Sequence, residues 1–162
     1  MSRKLTRIAL LSAVALTIFV LEAQIPLPIA LPGLKLGLSN IVTLLALSLL
    51  GWKEALCVLG IRIVLGNLVT GQLAALFYSL GGGLLSFVCM AIAAKLLPKT
   101  QLWVAGVLGG LAHNIGQMAV AVLLTSTPAL LYYLPMLLLC ALGTGCFTGL
   151  TASLVLKYLP KS

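Results

Sequence analysis

The stretch GGLAHNIGQMAVAVLL, residues 109–124, sets His113, Asn114 and Gln117 within five positions of an otherwise apolar run. Residues four apart share a helical face, so His113 and Gln117 project to the same side with Asn114 beside them. Nothing else in the run is hydrophilic. A helix of this kind belongs in lipid, and its few polar side chains must face protein, a cavity or a ligand.

The rest of the chain has the same character. Of 162 residues, 62% are hydrophobic and 7% are charged, whereas a water-soluble domain carries about 25% charged residues. The bilayer is therefore the expected solvent. At about 20 apolar residues per transmembrane helix, the length allows six spans and leaves no room for a soluble domain. The composition predicts an all-α integral membrane protein, with residues 1–162 forming a single transmembrane domain in contact with membrane lipid. Proline, glycine and charge clusters divide the apolar runs into six helices, at 4–23, 36–50, 52–69, 73–97, 101–126 and 129–158. The first run follows Arg3, Lys4 and Arg7 as a signal peptide would, but Glu22 between Leu21 and Ala23 spoils the small-residue cleavage pattern, so the run is expected to be retained. Between the first two helices, Pro26, Pro28 and Pro32 rule out helix. That segment reads as a structured outer loop or half-buried cap.

The net charge of +8 is not a nucleic-acid footprint, because the basic residues punctuate hydrophobic runs instead of sharing a soluble face. Cys57, Cys89, Cys140 and Cys146 lie inside such runs, without a CxxC pair and with a single histidine in the chain. No metal site or cofactor is expected. The basic residues do set an orientation. With both termini cytoplasmic, Arg3, Lys4, Arg7, Lys53, Lys95, Lys99, Lys157 and Lys161 all fall on the inner side, eight of the ten Lys and Arg residues.

The two exceptions are Lys35, in the outer loop, and Arg62, roughly 15 Å into the third helix at 1.5 Å per residue. An arginine at that depth costs at least ~2.5 kcal/mol to insert and normally meets a partner, a cavity or a ligand. By the same arithmetic His113 lies about 18 Å and Gln117 about 24 Å from the inner end of the fifth helix. Asn40 enters the second helix from outside. Lys35, Asn40, Arg62, His113, Asn114 and Gln117 are thus predicted to line a polar, substrate-binding cavity that opens outward. A plainer reading makes them interhelical glue, worth ~0.6 kcal/mol per bond. Glu22 and Lys35 could form a salt bridge on the outer rim, and Glu54 suits the N-terminal dipole of the third helix.

Small residues form a second pattern. The pairs Gly33/Gly37, Gly106/Gly110 and Gly145/Gly149 permit close helix contact, with packing inside the monomer as their usual meaning. Ala9 and Ala13 have the same spacing on the inner half of the first helix, where a partner protein could dock.

Three segments, PGLKLGLSNIVTLLAL (32–47), YSLGGGLLS (78–86) and HNIGQ (113–117), together resemble the bacterial membrane family called Gx transporters, also labelled heptaprenyl diphosphate synthase component I. The resemblance covers nearly the whole chain, the family usually carrying Ala where Ser39 stands. It implies the six-helix bundle of a substrate-binding S component of an energy-coupling factor (ECF) transporter. Such a subunit sits in the bacterial cytoplasmic membrane and captures a small molecule from outside. The Ala9/Ala13 spacing is similar to the motif by which many S components engage an ECF coupling transmembrane subunit, itself driven by ATPase subunits.

The synthase label meets a chemical objection. Prenyl diphosphate synthases hold Mg²⁺ through aspartate-rich motifs, because Mg²⁺ demands hard oxygen ligands, and this sequence has no aspartate. Its two glutamates, Glu22 and Glu54, are predicted on opposite sides of the membrane. The chain also lacks the GxxxxGK[ST] loop of an ATPase. It is therefore expected not to be an enzyme but to take up a small organic solute, with an anionic or phosphorylated group or an isoprenoid chain as candidate features. The alternatives are a non-catalytic accessory subunit of isoprenoid quinone synthesis or extracellular electron transfer, and an autonomous carrier or channel.

Overall fold

Backbone in lipid must satisfy its own hydrogen bonds, and helices do so within one segment. The structure is a computed structural model that describes residues 2–25 and 34–159. It is 86% helix, and no strand occurs among the described residues. The α-helices are α1 (Ser2–Glu22), α2 (Asn40–Leu49), α3 (Trp52–Val69), α4 (Ala75–Leu96), α5 (Leu102–Thr125) and α6 (Leu134–Tyr158), with 3-10 turns at Lys99–Gln101 and Pro128–Tyr133. Pro26, Pro28, Pro32, Gly33 and Lys161 fall outside the described residues, and with them the expected loop or cap.

Lys4 Nζ lies 3.6 Å from a Glu54 carboxylate oxygen. An exposed pair of this kind adds little stability, but it marks geometry: the first turns of α1 and α3 share one end of the bundle. Lys95 and Lys157 lie in the last turns of α4 and α6. Glu22 ends α1, about 27 Å from Lys4 at 1.5 Å per residue. The two carboxylates of the chain therefore sit at opposite ends of α1.

Four segments are long and apolar enough to cross a membrane, namely Arg3–Glu22, Ala75–Leu96, Leu102–Thr125 and Pro128–Tyr158. Their outward faces carry exposed leucines, valines and isoleucines, among them Leu10, Leu84, Leu108, Leu139 and Leu150. In water such a surface would aggregate; in hydrocarbon it is solvated.

Two helices differ from the sequence expectation. The second was expected over 36–50, but α2 begins at Asn40 and has 10 residues, about 15 Å or half the hydrocarbon thickness. Gly37 stops it earlier with a φ of +85°, a left-handed conformation that glycine adopts without steric cost. Short as it is, α2 is central: Asn40, Val42, Thr43, Leu44, Leu45 and Ala46 are all buried. The sixth was expected as one helix over 129–158. Pro135 lacks the N–H that would bond to residue 131 and clashes with that carbonyl, so a 3-10 turn ends at Tyr133 and α6 starts afresh at Leu134.

Glycines set the contact between α5 and α6. A Cβ on Gly149 would lie 2.5 Å from the Cα of Trp103, and one on Gly145 would lie 2.7 Å from the Cα of Val107. A Cβ on Gly106 would lie 2.5 Å from the Cα of Gly149. The GxxxG pairs of α5 and α6 thus bring two backbones together inside one chain, leaving no room for a side chain between them. Between α4 and α5 a surface groove of about 580 Å³ is lined by apolar residues including Leu85, Ile92, Leu108 and Ile115.

Candidate functional site

The polar side chains predicted from the sequence meet where the end of α1, the start of α2, the middle of α3 and α5 converge. Glu22 organises the junction. Its carboxylate accepts hydrogen bonds from the backbone N–H groups of Gly37, Leu38 (3.1 Å) and Ser39 (3.3 Å). The left-handed Gly37 turns these donors toward one point, and the partial positive charge at the α2 N-terminus favours an anion there. Glu22 is only 4% exposed. The rim salt bridge to Lys35 is not formed; among the described residues the one ion pair within 4 Å is Lys4–Glu54. Three converging N–H donors satisfy a buried carboxylate better than one flexible ammonium.

Arg62, 1% exposed, donates from Nη1 to Ser39 Oγ at 2.6 Å and to Asn40 Oδ1 at 3.2 Å. Its Nε has no hydrogen-bond partner. Ser39 is thus the nearest acceptor for the buried arginine. A hydroxyl here shares the burden of a charge buried in a helix bundle.

On α5 the three polar residues divide their roles. Gln117 Oε1 accepts from the backbone N–H of Lys35 at 3.1 Å, and Gln117 Nε2 donates to the Lys35 carbonyl. The same Nε2 donates to Asn114 Oδ1 at 3.0 Å, and Asn114 Nδ2 donates to the Gly110 carbonyl at 3.1 Å. Asn114 and Gln117 therefore form a relay that grips one residue of the α1–α2 connection, 82 positions away. His113 stands apart from this relay. Its ring lies between Gly37 and Gly82, where added Cβ atoms would come 3.0 Å from Cδ2 and 3.1 Å from Nδ1 respectively. Neither ring nitrogen makes a well-formed hydrogen bond, the Gly82 backbone being the neighbouring group.

The triple glycine of α4 acquires a meaning from this geometry. Gly82 leaves room for the His113 ring, and Gly83 for Ile63 and Leu59 beside the Arg62 guanidinium, whose Nη2 would be 3.6 Å from a Cβ there. Lys35 is 5% exposed, and its ammonium sits 3.3 Å from the centre of the Phe19 ring with no hydrogen-bond partner. Burial pushes its pKa down from 10.5 to about 8, with Glu22 opposing the shift and Arg62 adding to it. At neutral pH it remains mostly charged.

All six predicted residues are thus brought to one junction, with none more than 5% exposed. The 580 Å³ groove lies elsewhere, on the apolar α4–α5 surface. Sequence reasoning missed Glu22 as the organiser and Phe19 as the floor beneath Lys35. The available signals were the lone outer glutamate at the end of α1 and the Gly37-Leu38-Ser39 triplet before a helix. Ala9 and Ala13 lie apart from the junction, exposed on α1.

The family of heptaprenyl diphosphate synthase component I matches residues 11–155. The chain belongs to this family. No curated protein matches, and no solved structure does. As a component I member it has a family description that points to a further synthase component as partner. Among the described residues of this member, no three His, Cys, Asp or Glu side chains gather as metal ligands.

Proposed function

We propose that this component I family member is a non-enzymatic membrane transport subunit that binds a small organic solute, in the manner of an S component, and depends on external energy-coupling subunits for uptake. One observation carries the reading. Lys35 and Arg62 are buried in a bundle of apolar helices with nitrogen atoms that have no hydrogen-bond partner. Unsatisfied buried donors cost about 1–3 kcal/mol each, more when charged, and such groups persist where function requires them. The reading takes six membrane crossings with both termini cytoplasmic, α3 adding a full helix to the four long apolar segments and the half-length α2 completing its crossing only together with the connection that precedes it, and multi-pass residence in the cell membrane. Lys4, Glu54, Lys95 and Lys157 then share the inner end, and the junction lies toward the outside.

On this reading the exposed Ala9 and Ala13 of α1 form the docking face for the coupling subunit, small side chains allowing a close helix approach. The family description favours a second reading, a non-catalytic accessory subunit of heptaprenyl diphosphate synthesis. Affinity purification from the native membrane separates the two. Recovery of a membrane coupling protein with two ATPases supports transport; recovery of a soluble prenyltransferase and no ATPase would overturn it in favour of the accessory role.

A further inference from the structure

Lys35 combines two properties that a structural lysine has no use for. Both its backbone groups are clamped by the Gln117 amide, which is fixed in turn by Asn114 and the Gly110 carbonyl. Three linked groups on α5 therefore hold one residue of an irregular segment in place. Yet its ammonium takes no part in this network and has no hydrogen-bond partner.

The charges around it do not close the account. Glu22 on α1 is engaged by the N–H groups of residues 37–39, and turning it toward Lys35 would strip those donors. Arg62 on α3 and His113 on α5 are near enough for each to feel the lysine's charge, and neither is an anion. The Phe19 ring supplies a cation–π contact worth about 0.5–2 kcal/mol, against several kcal/mol for taking an ammonium out of water. Two cations and one carboxylate leave the junction one positive charge in excess.

We propose that Lys35 is the ligand-receiving residue, forming an ion pair with a carboxylate or phosphate group of an amphiphilic anion whose apolar part rests against Phe19 and the surrounding helix walls. The inference rests on the solute-binding reading above and names its substrate class. Gln117 and Asn114 are positioning residues that hold Lys35, and Glu22 holds the α2 N-terminus without neutralising it. A prepaid geometry of this kind is how a receptor avoids ordering costs on binding.

The test uses the full chain in nonionic detergent, following thermal unfolding with benzoate, inorganic phosphate and the neutral benzyl alcohol as probes. A ligand that binds the folded state raises the midpoint by mass action. Benzoate or phosphate should stabilise the wild type and benzyl alcohol should not. Lys35→Met should weaken the anion effect about tenfold or more, Lys35→Arg should restore part of it, and Lys95→Met, at the far end of α4, should match the wild type. Anion affinity should also fall as pH rises past about 8, where Lys35 loses its proton. That arm needs only the wild type and decides the matter if Lys35→Met fails to fold. Equal stabilisation of wild type and Lys35→Met, or equal effects of benzoate and benzyl alcohol, would overturn the assignment.

Nanodiscs of phosphatidylglycerol and of phosphatidylcholine separate lipid from solute. Stabilisation that depends on Lys35 and comes from phosphatidylglycerol alone, with no soluble anion effective, would keep the ion pair and overturn the solute reading. No effect from any anion would overturn the role of Lys35 while leaving uptake of a neutral solute intact.

Discussion

The α5–α6 contact and the junction at the start of α2 are both fully buried, and they are built on opposite principles. Between α5 and α6, glycine faces backbone, and dispersion over a close contact supplies the attraction. At the junction, charged and amide groups are packed as deeply, yet Lys35 and Arg62 keep nitrogen atoms without hydrogen-bond partners. The first region is what a helix bundle needs in order to exist. The second costs stability, which is the mark of a place kept for function.

Substitutions sharpen this contrast. The largest effect should come from Gly149→Leu, because the backbone around Trp103 cannot retreat; a loss above ~3 kcal/mol is expected, measured by unfolding in mixed micelles. A near-neutral result would mean that α5 and α6 do not meet as described. Glu22→Ala should follow at roughly 3 kcal/mol, since three N–H donors lose their acceptor, while Glu22→Gln should recover part of that. Gln117→Leu should cost about 2 kcal/mol and should also weaken anion binding, in contrast to Gly106→Ala on the α6 side of α5, which should affect stability alone.

Titration offers a subtler comparison. The folded-state pKa of Lys35 is lowered from 10.5 to about 8, so between those values the unfolded chain binds the proton that the folded chain has released. Stability of the unliganded protein should therefore rise with pH across that window, the penalty of the buried charge being full below about pH 8 and absent above about 10.5. Lys35→Met should lack this component and should be at least as stable as the wild type at neutral pH. A Lys35→Met protein much less stable at pH 7 would make the lysine structural. The smallest effect on stability belongs to Ala13→Leu on the exposed face of α1, within ±0.5 kcal/mol, although it should abolish capture of the coupling subunit. Unchanged capture would place docking on another helix.

Much of this contrast can be read from the chain alone. Apolar runs, glycine spacing and the placing of Lys and Arg predict the helices and their common end, because each signal is local and periodic. The convergence of Arg62 with His113, Asn114 and Gln117 follows from depth along a helix, which is arithmetic. What escapes is whatever depends on backbone outside regular structure. Gly37 reads equally well as helix or turn, so the length of α2 is misjudged. The Glu22 cap spans 15 positions and the Gln117 clamp 82, distances at which no periodicity links the partners.

The central claim is that the junction holds a ligand and does more than tie helices together. Native mass spectrometry of wild-type and Lys35→Met protein, both taken from the host membrane without added ligand, tests it most directly. The account predicts a bound small anion on the wild type that is missing from the variant. The same adduct at the same occupancy on both proteins would contradict it.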